Sequence, residues 1–176
     1  MMKRGCEIIG LPIICLDQGC KTCEIKDIFY CNRNFKVTAF LVQEGGYFHK
    51  PKVIEFEHIK KIGENAVTIE TYERIINMQD ETNKLYSREN LLGLEVVTLD
   101  GRNMGIVEDI LIEIGNRRIL GLILTAGLFD DLIEGRSILP IHHELDIHKN
   151  TIRVNSSIST SILQGDGGLK KLLSLE

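Results

Sequence analysis

Two stretches of this chain repeat one pattern. "GLPIICLDQGCKTCEIKDIFYCNRNFKVTAFLV" runs from Gly10, and "GLEVVTLDGRNMGIVEDILIEIGNRRILGLIL" runs from Gly93. They align throughout, with one extra residue in the first turn of the first copy. Leu16 and Asp17 meet Leu99 and Asp100, Asp27 and Ile28 meet Asp109 and Ile110, and Asn34 meets Asn116. Downstream, "VIEFEHIKKIGENAVTIE" from Val53 aligns with "ILPIHHELDIHKNTIRVN" from Ile138, so that Phe56 meets Ile141, His58 meets His143 and Asn65 meets Asn150. Self-similarity at a fixed period marks one supersecondary unit made twice. The unit has about 65 residues, a size at which a lone core is marginal. The chain therefore divides into module 1 (7–72), a linker (73–91), module 2 (92–156) and a flexible or short helical tail (157–176).

The second copy shows the unit most clearly. Leu94, Val96 and Leu99 belong to a first strand that stops at a hairpin-type Asp100–Gly101 turn. Ile106, Ile110, Ile112 and Ile114 are spaced by two or four, which predicts one shared strand face, while Val107, Asp109, Leu111 and Glu113 point the other way. Gly115 and Asn116 make the next turn. The following strand, 119–124, is apolar on both faces and so belongs in the middle of a sheet. Residues 137–142 and 151–155 give two more strands, and Pro140 predicts an edge or a bulge. Five or six short strands with tight turns indicate a small barrel. In the linker, Tyr72, Ile75 and Ile76 fall at helical spacing, which reads as a short helix or turn followed by a tether, and Ser87 is a good cap for a second short helix. The expected fold is all-β: two tandem small barrels of SH3-like type joined by a short, partly helical linker.

Composition sets the setting. The 176 residues are 43% hydrophobic and 26% charged, enough for packed cores, with a net charge of -4 that argues against a general nucleic-acid binder. No run approaches a membrane span. "MMKRGCEIIGLPIICL" carries Glu7 inside its apolar stretch and lacks a small-residue cleavage site, so it reads as a mature strand rather than a signal peptide. Five cysteines, an odd number, fit a reducing cytoplasm.

The second copy resembles the PRC-barrel domains, a family named after the H subunit of the photosynthetic reaction centre and found also at the C-terminus of a ribosome-maturation factor. The resemblance rests on Gly93, Asp100, Gly101, Gly105, Val107, Asp109, Gly121, Leu122, Leu139 and Pro140. The first copy departs from it, with Ala39 and Glu55 in place of Gly121 and Pro140. Its tail from Val53 still resembles short PRC-barrel proteins of spore-forming bacteria. What the resemblance implies is a fold and an interaction role rather than a reaction.

The cysteines carry the main chemical alternative. Cys20 and Cys23 form a C-x2-C pair, and Cys15 extends it to C-x4-C-x2-C, a spacing suited to a metal, an iron–sulfur site or a dithiol switch. Cys31 is excluded from that group, because eight strand positions put it roughly 26 Å from Cys23. The competing reading is small apolar cysteines in a reduced protein. His142, His143, Glu144, Asp146 and His148 form a polar cluster in which alternation sends His142 and His143 to opposite sides, as in a solvated edge. "GDGG" at 165–168 lacks the Lys-Ser/Thr of a phosphate loop and reads as a hinge. No nucleophile–base order stands out.

Two loops at equivalent places, 44–52 and 126–136, carry aromatics beside charges. Tyr47, Phe48, Phe129, Asp130 and Asp131 are the candidate interaction residues, since loops held by a rigid barrel are where small β-modules bind. Residues 10–72 hold eight basic and eight acidic side chains, whereas 92–156 hold six and ten, which favours a basic partner for the second module. The expected function is a non-catalytic, cofactor-free, cytoplasmic binding or scaffolding module. Its partner is another protein, with a second copy of the chain as a further candidate and no direct nucleic-acid binding. The alternatives are a redox- or metal-responsive protein using Cys15, Cys20 and Cys23, and a ribosome-assembly or RNA-processing accessory factor.

Overall fold

The structure is a computed structural model and describes residues 1–43, 51–78, 86–125, 137–141 and 145–155, with the backbone of Leu163 and Gln164. These residues are mostly strand, with three 3-10 turns and no α-helix among them. The chain separates into two compact units. Unit 1 is Met1–Asn90 with Ile112–Arg118, and unit 2 is Leu91–Leu111 with Ile119–Glu176.

Unit 1 holds β1 (Met2–Arg4), β2 (Pro12–Cys15), β3 (Cys20–Cys31), β4 (Lys36–Gln43), β5 (Lys52–Glu55), β6 (Ile59–Ile62), β7 (Val67–Ile69), β8 (Ile76–Asn77) and β9 (Tyr86–Ser87). The spatial order is β6-β7-β2-β3-β4-β5-β8. Most neighbours are antiparallel, but β2 and β7 run parallel, with Ile13 opposite Val67, Ile14 opposite Thr68 and Cys15 opposite Ile69. Ile13, Ile25, Ile28, Phe40, Ile54 and Val67 are fully buried, each contributing about 1.5–3 kcal/mol by leaving water. Gly10 takes φ 83, a conformation open to glycine at little cost. It brings the chain back so that its N–H meets the Ile25 carbonyl at 2.8 Å.

Unit 2 holds β10 (Glu95–Thr98), most of β11 (Asn103–Glu113) and β12 (Arg118–Thr125), then β13 (Ser137–Pro140), β14 (Asp146–His148), β15 (Thr151–Val154) and β16 (Leu163–Gln164). Its order is β14-β15-β10-β11-β12-β13-β16. Here β10 and β15 are the parallel pair, with Val96 opposite Ile152, Val97 opposite Arg153 and Thr98 opposite Val154. β12 faces β13 from Gly121–Pro140 to Leu124–Ser137. Pro140, which has no N–H to donate, sits beyond the Ser137–Ile138 stretch that β16 pairs with. Neither strand order closes on itself among the described residues.

Two local expectations are corrected. Ile106 does not share the inward face of Ile110 and Ile112: it is 42% exposed, while Val107 and Asp109 are buried. The reason is visible in β3, whose burial pattern from Ile25 onward repeats that of β11 from Val107 onward. There the register shifts between Ile25 and Asp27, and a bulge of that kind exchanges the two faces of a strand. Around the linker, the first expected helix or turn is a turn, and the second short helix is replaced by a strand. Tyr72–Arg74 makes one 3-10 turn, and Ile76 enters β8 opposite Val53. Ser87 lies in β9 opposite Phe29. β-Branched Ile75 and Ile76 favour extended backbone, and the Ser87 hydroxyl is committed to a tertiary partner rather than to a helix cap.

Candidate functional site

A groove of about 700 Å³ lies within unit 1. Lys36 and Thr38 reach it from β4, Glu55 from the end of β5, Ile76 from β8, and Asn116 and Arg117 from the segment Ile112–Arg118. Its apolar lining includes Ala39 and Val53, which pack with Phe29 as a buried cluster. Ile76, 41% exposed, is its large accessible apolar side chain.

Local backbone chemistry shapes the rim. After extended Glu55, the 3-10 turn Phe56–His58 buries Phe56 and leaves Glu55 and Glu57 exposed. Arg117 has φ 59, the left-handed region that closes a tight turn. Its carbonyl accepts the Val37 N–H at 2.7 Å, and its guanidinium lies 5.2 Å from the centre of the Phe56 ring, a cation–π arrangement. The Asn116 amide donates to Glu113 Oε2 at 2.8 Å. The result is an apolar floor with cationic and anionic groups at its margin.

Beside it, His58 Nε2 lies 3.8 Å from Glu55 Oε2 and 4.0 Å from Glu57 Oε1. These three form a set of metal-type donor atoms within 4.8 Å of one another. A tetrahedral zinc with bonds of about 2.0–2.2 Å holds its donors about 3.4 Å apart, and exposed acidic groups flanking a histidine on one turn are common without an ion. The corresponding cluster of the second copy, His142, His143 and Glu144, lies outside the described residues, while His148 Nε2 pairs with Asp146 Oδ1 at 2.9 Å.

The cysteines lie elsewhere in unit 1. Cys15 and Cys20 are register partners at the closed end of the β2–β3 hairpin, and Cys23 faces Ile13. The register shifts between Ile13 and Ile14, with Thr22 as the extra residue, so Cys20 and Cys23 fall on one face despite their odd spacing. Cys15 and Cys23 are buried and Cys20 is exposed. Cys15 Sγ donates to Asp17 Oδ1 at 2.7 Å, and burial together with that carboxylate pushes its thiol pKa up. Cys31 is half-buried and lines the groove instead.

Tyr47, Phe48, Phe129, Asp130 and Asp131 lie outside the described residues. The groove was not foreseen in the sequence. Its only advance signal was the Asn34–Asn116 match, since the residues after both asparagines, Phe35 and Arg117, take positive φ and mark equivalent turns.

Residues 83–159 match the family model of the PRC-barrel domain. No curated protein matches the chain. The PRC-barrel segment begins before β9 and spans both units: β9 pairs with β3 in unit 1, as Tyr86 with Tyr30 and Ser87 with Phe29. Within it, Gly121 is pressed so closely that a Cβ would stand 2.8 Å from the Leu139 carbonyl oxygen. Asp109 is buried and accepts the N–H of Ile110 at 2.8 Å, as Asp27 does for Ile28 in unit 1.

Proposed function

We propose that the chain is a non-catalytic binding module built from two copies of the PRC-barrel type, and that the groove of unit 1 receives another protein. The observation that carries this reading is the groove itself: exposed Ile76 and an apolar floor, bordered by Lys36, Arg117, Glu55 and Glu57. An apolar centre with a polar rim is the ordinary anatomy of a protein interface. The two-copy reading is supported by matched registers, Ile13–Val67 parallel in one unit and Val96–Ile152 parallel in the other, together with the same strand order in each. Closure of each copy into an SH3-like barrel, and the cytoplasm as its setting, belong to the same proposal. Five free thiols support the latter. Among the described residues no helix is long and apolar enough to cross a membrane.

The test is affinity capture with the intact chain and with two groove variants, Ile76→Asp and Lys36→Glu, each checked for an unchanged melting temperature. A partner retained by the natural protein and lost by both variants supports the reading. Equal capture by all three places binding elsewhere.

A further inference from the structure

We propose that Cys15 and Cys20 form a reversible cross-strand disulfide by exchange with a low-molecular-weight disulfide such as oxidised glutathione. The inference is independent of the groove and rests on the register of the β2–β3 hairpin.

Cys15 and Cys20 stand directly opposite one another in an antiparallel pair. Such partners have Cα atoms about 4.5–5.5 Å apart, inside the roughly 4.4–6.8 Å span of natural disulfides. The C-x2-C pair meets this condition less well. Cys20 and Cys23 occupy the same strand, β3, opposite Cys15 and Ile13, which are two steps or about 7 Å apart, at the upper limit for bridging.

The two thiols are also suited to successive roles. Cys20 is exposed and lies beside the turn closed by Gly19, so a soluble disulfide reaches it. Cys15 is buried, with Sγ held between Asp17 Oδ1 and the Glu70 carbonyl at 2.7 and 3.7 Å. Burial and the Asp17 carboxylate keep it protonated, so first attack falls to Cys20. Cys20 thiolate attacks one sulfur of oxidised glutathione, its S–S bond breaks, and one glutathione thiolate leaves. Cys15 then gives its proton to solvent, turns from Asp17 and attacks the Cys20 sulfur, releasing the second glutathione thiolate. The protein thiols are oxidised and one glutathione disulfide is reduced to two thiols. The product staples β2 to β3 at their turn.

The experiment uses the full chain, folded, incubated with oxidised glutathione, quenched in acid, alkylated, and cut after Glu, Lys and Arg. Fragment 8–21 then holds Cys15 and Cys20 alone, and fragment 22–24 holds Cys23. The expected product is fragment 8–21 lacking its two thiol hydrogens and carrying no alkyl group, restored to a doubly alkylated form by prior reduction. Fragment 8–21 joined to 22–24, glutathione retained on Cys20, or full alkylation of both thiols would each overturn the proposal.

Discussion

The Ser87 hydroxyl donates to Asp27 Oδ2 at 2.5 Å although 60 positions separate them, and both residues are buried. The other carboxylate oxygen accepts the N–H groups of Ile28 and Glu89 at 2.8 and 3.3 Å. One aspartate thus ties β9 and the residues after it to β3. Asp27→Ala leaves two buried donors, the Ile28 N–H and the Ser87 hydroxyl, and the part-buried Glu89 N–H without an acceptor and is expected to cost about 3 kcal/mol, whereas Ser87→Ala removes one bond and costs about 1 kcal/mol. Urea unfolding midpoints read both, and equal values for the two variants would contradict the arrangement.

Tyr30 is fully buried, stacked on Phe35 at 5.9 Å, and its hydroxyl has no hydrogen-bond partner among the described residues. A buried hydroxyl without a partner is a net cost. Tyr30→Phe is therefore expected to raise stability by about 1 kcal/mol at neutral pH. Burial, with Tyr86 and Asp27 nearby, also pushes the phenol pKa well above its ordinary value of 10.0. Ionisation then occurs first in the unfolded chain, so folding stability falls as pH rises past that ordinary value. Denaturant titrations at neutral and strongly alkaline pH should show the natural protein losing more than Tyr30→Phe. Parallel losses would refute the assignment.

Gly121 allows β13 to approach β12. A methyl group there meets Ile138 Cγ2 and the Leu139 carbonyl oxygen, each at 2.8 Å. The latter is backbone and cannot rotate away, so Gly121→Ala is expected to destabilise by about 1–3 kcal/mol. Ala39 occupies the matching register position opposite Glu55 in unit 1, where the extra carbon is already accommodated. A thermal melt of Gly121→Ala that coincides with the natural protein's would count against the close packing.

The PRC-barrel segment 83–159 should not be stable when expressed alone. It carries Tyr86 and Ser87 away from β3, and it carries Ile112–Arg118 away from unit 1, where Arg118 pairs with Lys36. The predicted circular dichroism of the isolated segment shows a non-cooperative melt. A sharp transition matching that of the whole chain would show the segment to be self-sufficient.

What the sequence revealed depended on how local the cause was. The turn at Gly101 was legible because glycine after a polar residue answers a local backbone demand, and Gly101 takes positive φ. The strand 119–124 was legible because an apolar run needs burial on both faces, and of the strand expected at 137–142 the structure shows Ser137–Pro140. The facing of Ile106 was not, because a bulge moves the phase of a whole strand and leaves no mark in alternation. The fate of Ser87 was equally hidden: a capping residue and a tertiary donor look alike until Asp27 is folded beside it. The groove escaped for the same reason, since Ile76 and Arg117 come from segments far apart in the chain.

The most distinctive mark of the proposed two-copy arrangement is a parallel pair in each unit within otherwise antiparallel pairing. Cross-strand nuclear Overhauser contacts in the intact, isotope-labelled protein measure this directly. The account predicts parallel-type contacts linking Ile13 with Val67 and Val96 with Ile152. Antiparallel contacts in either place, or contacts in one unit and none in the other, would contradict it.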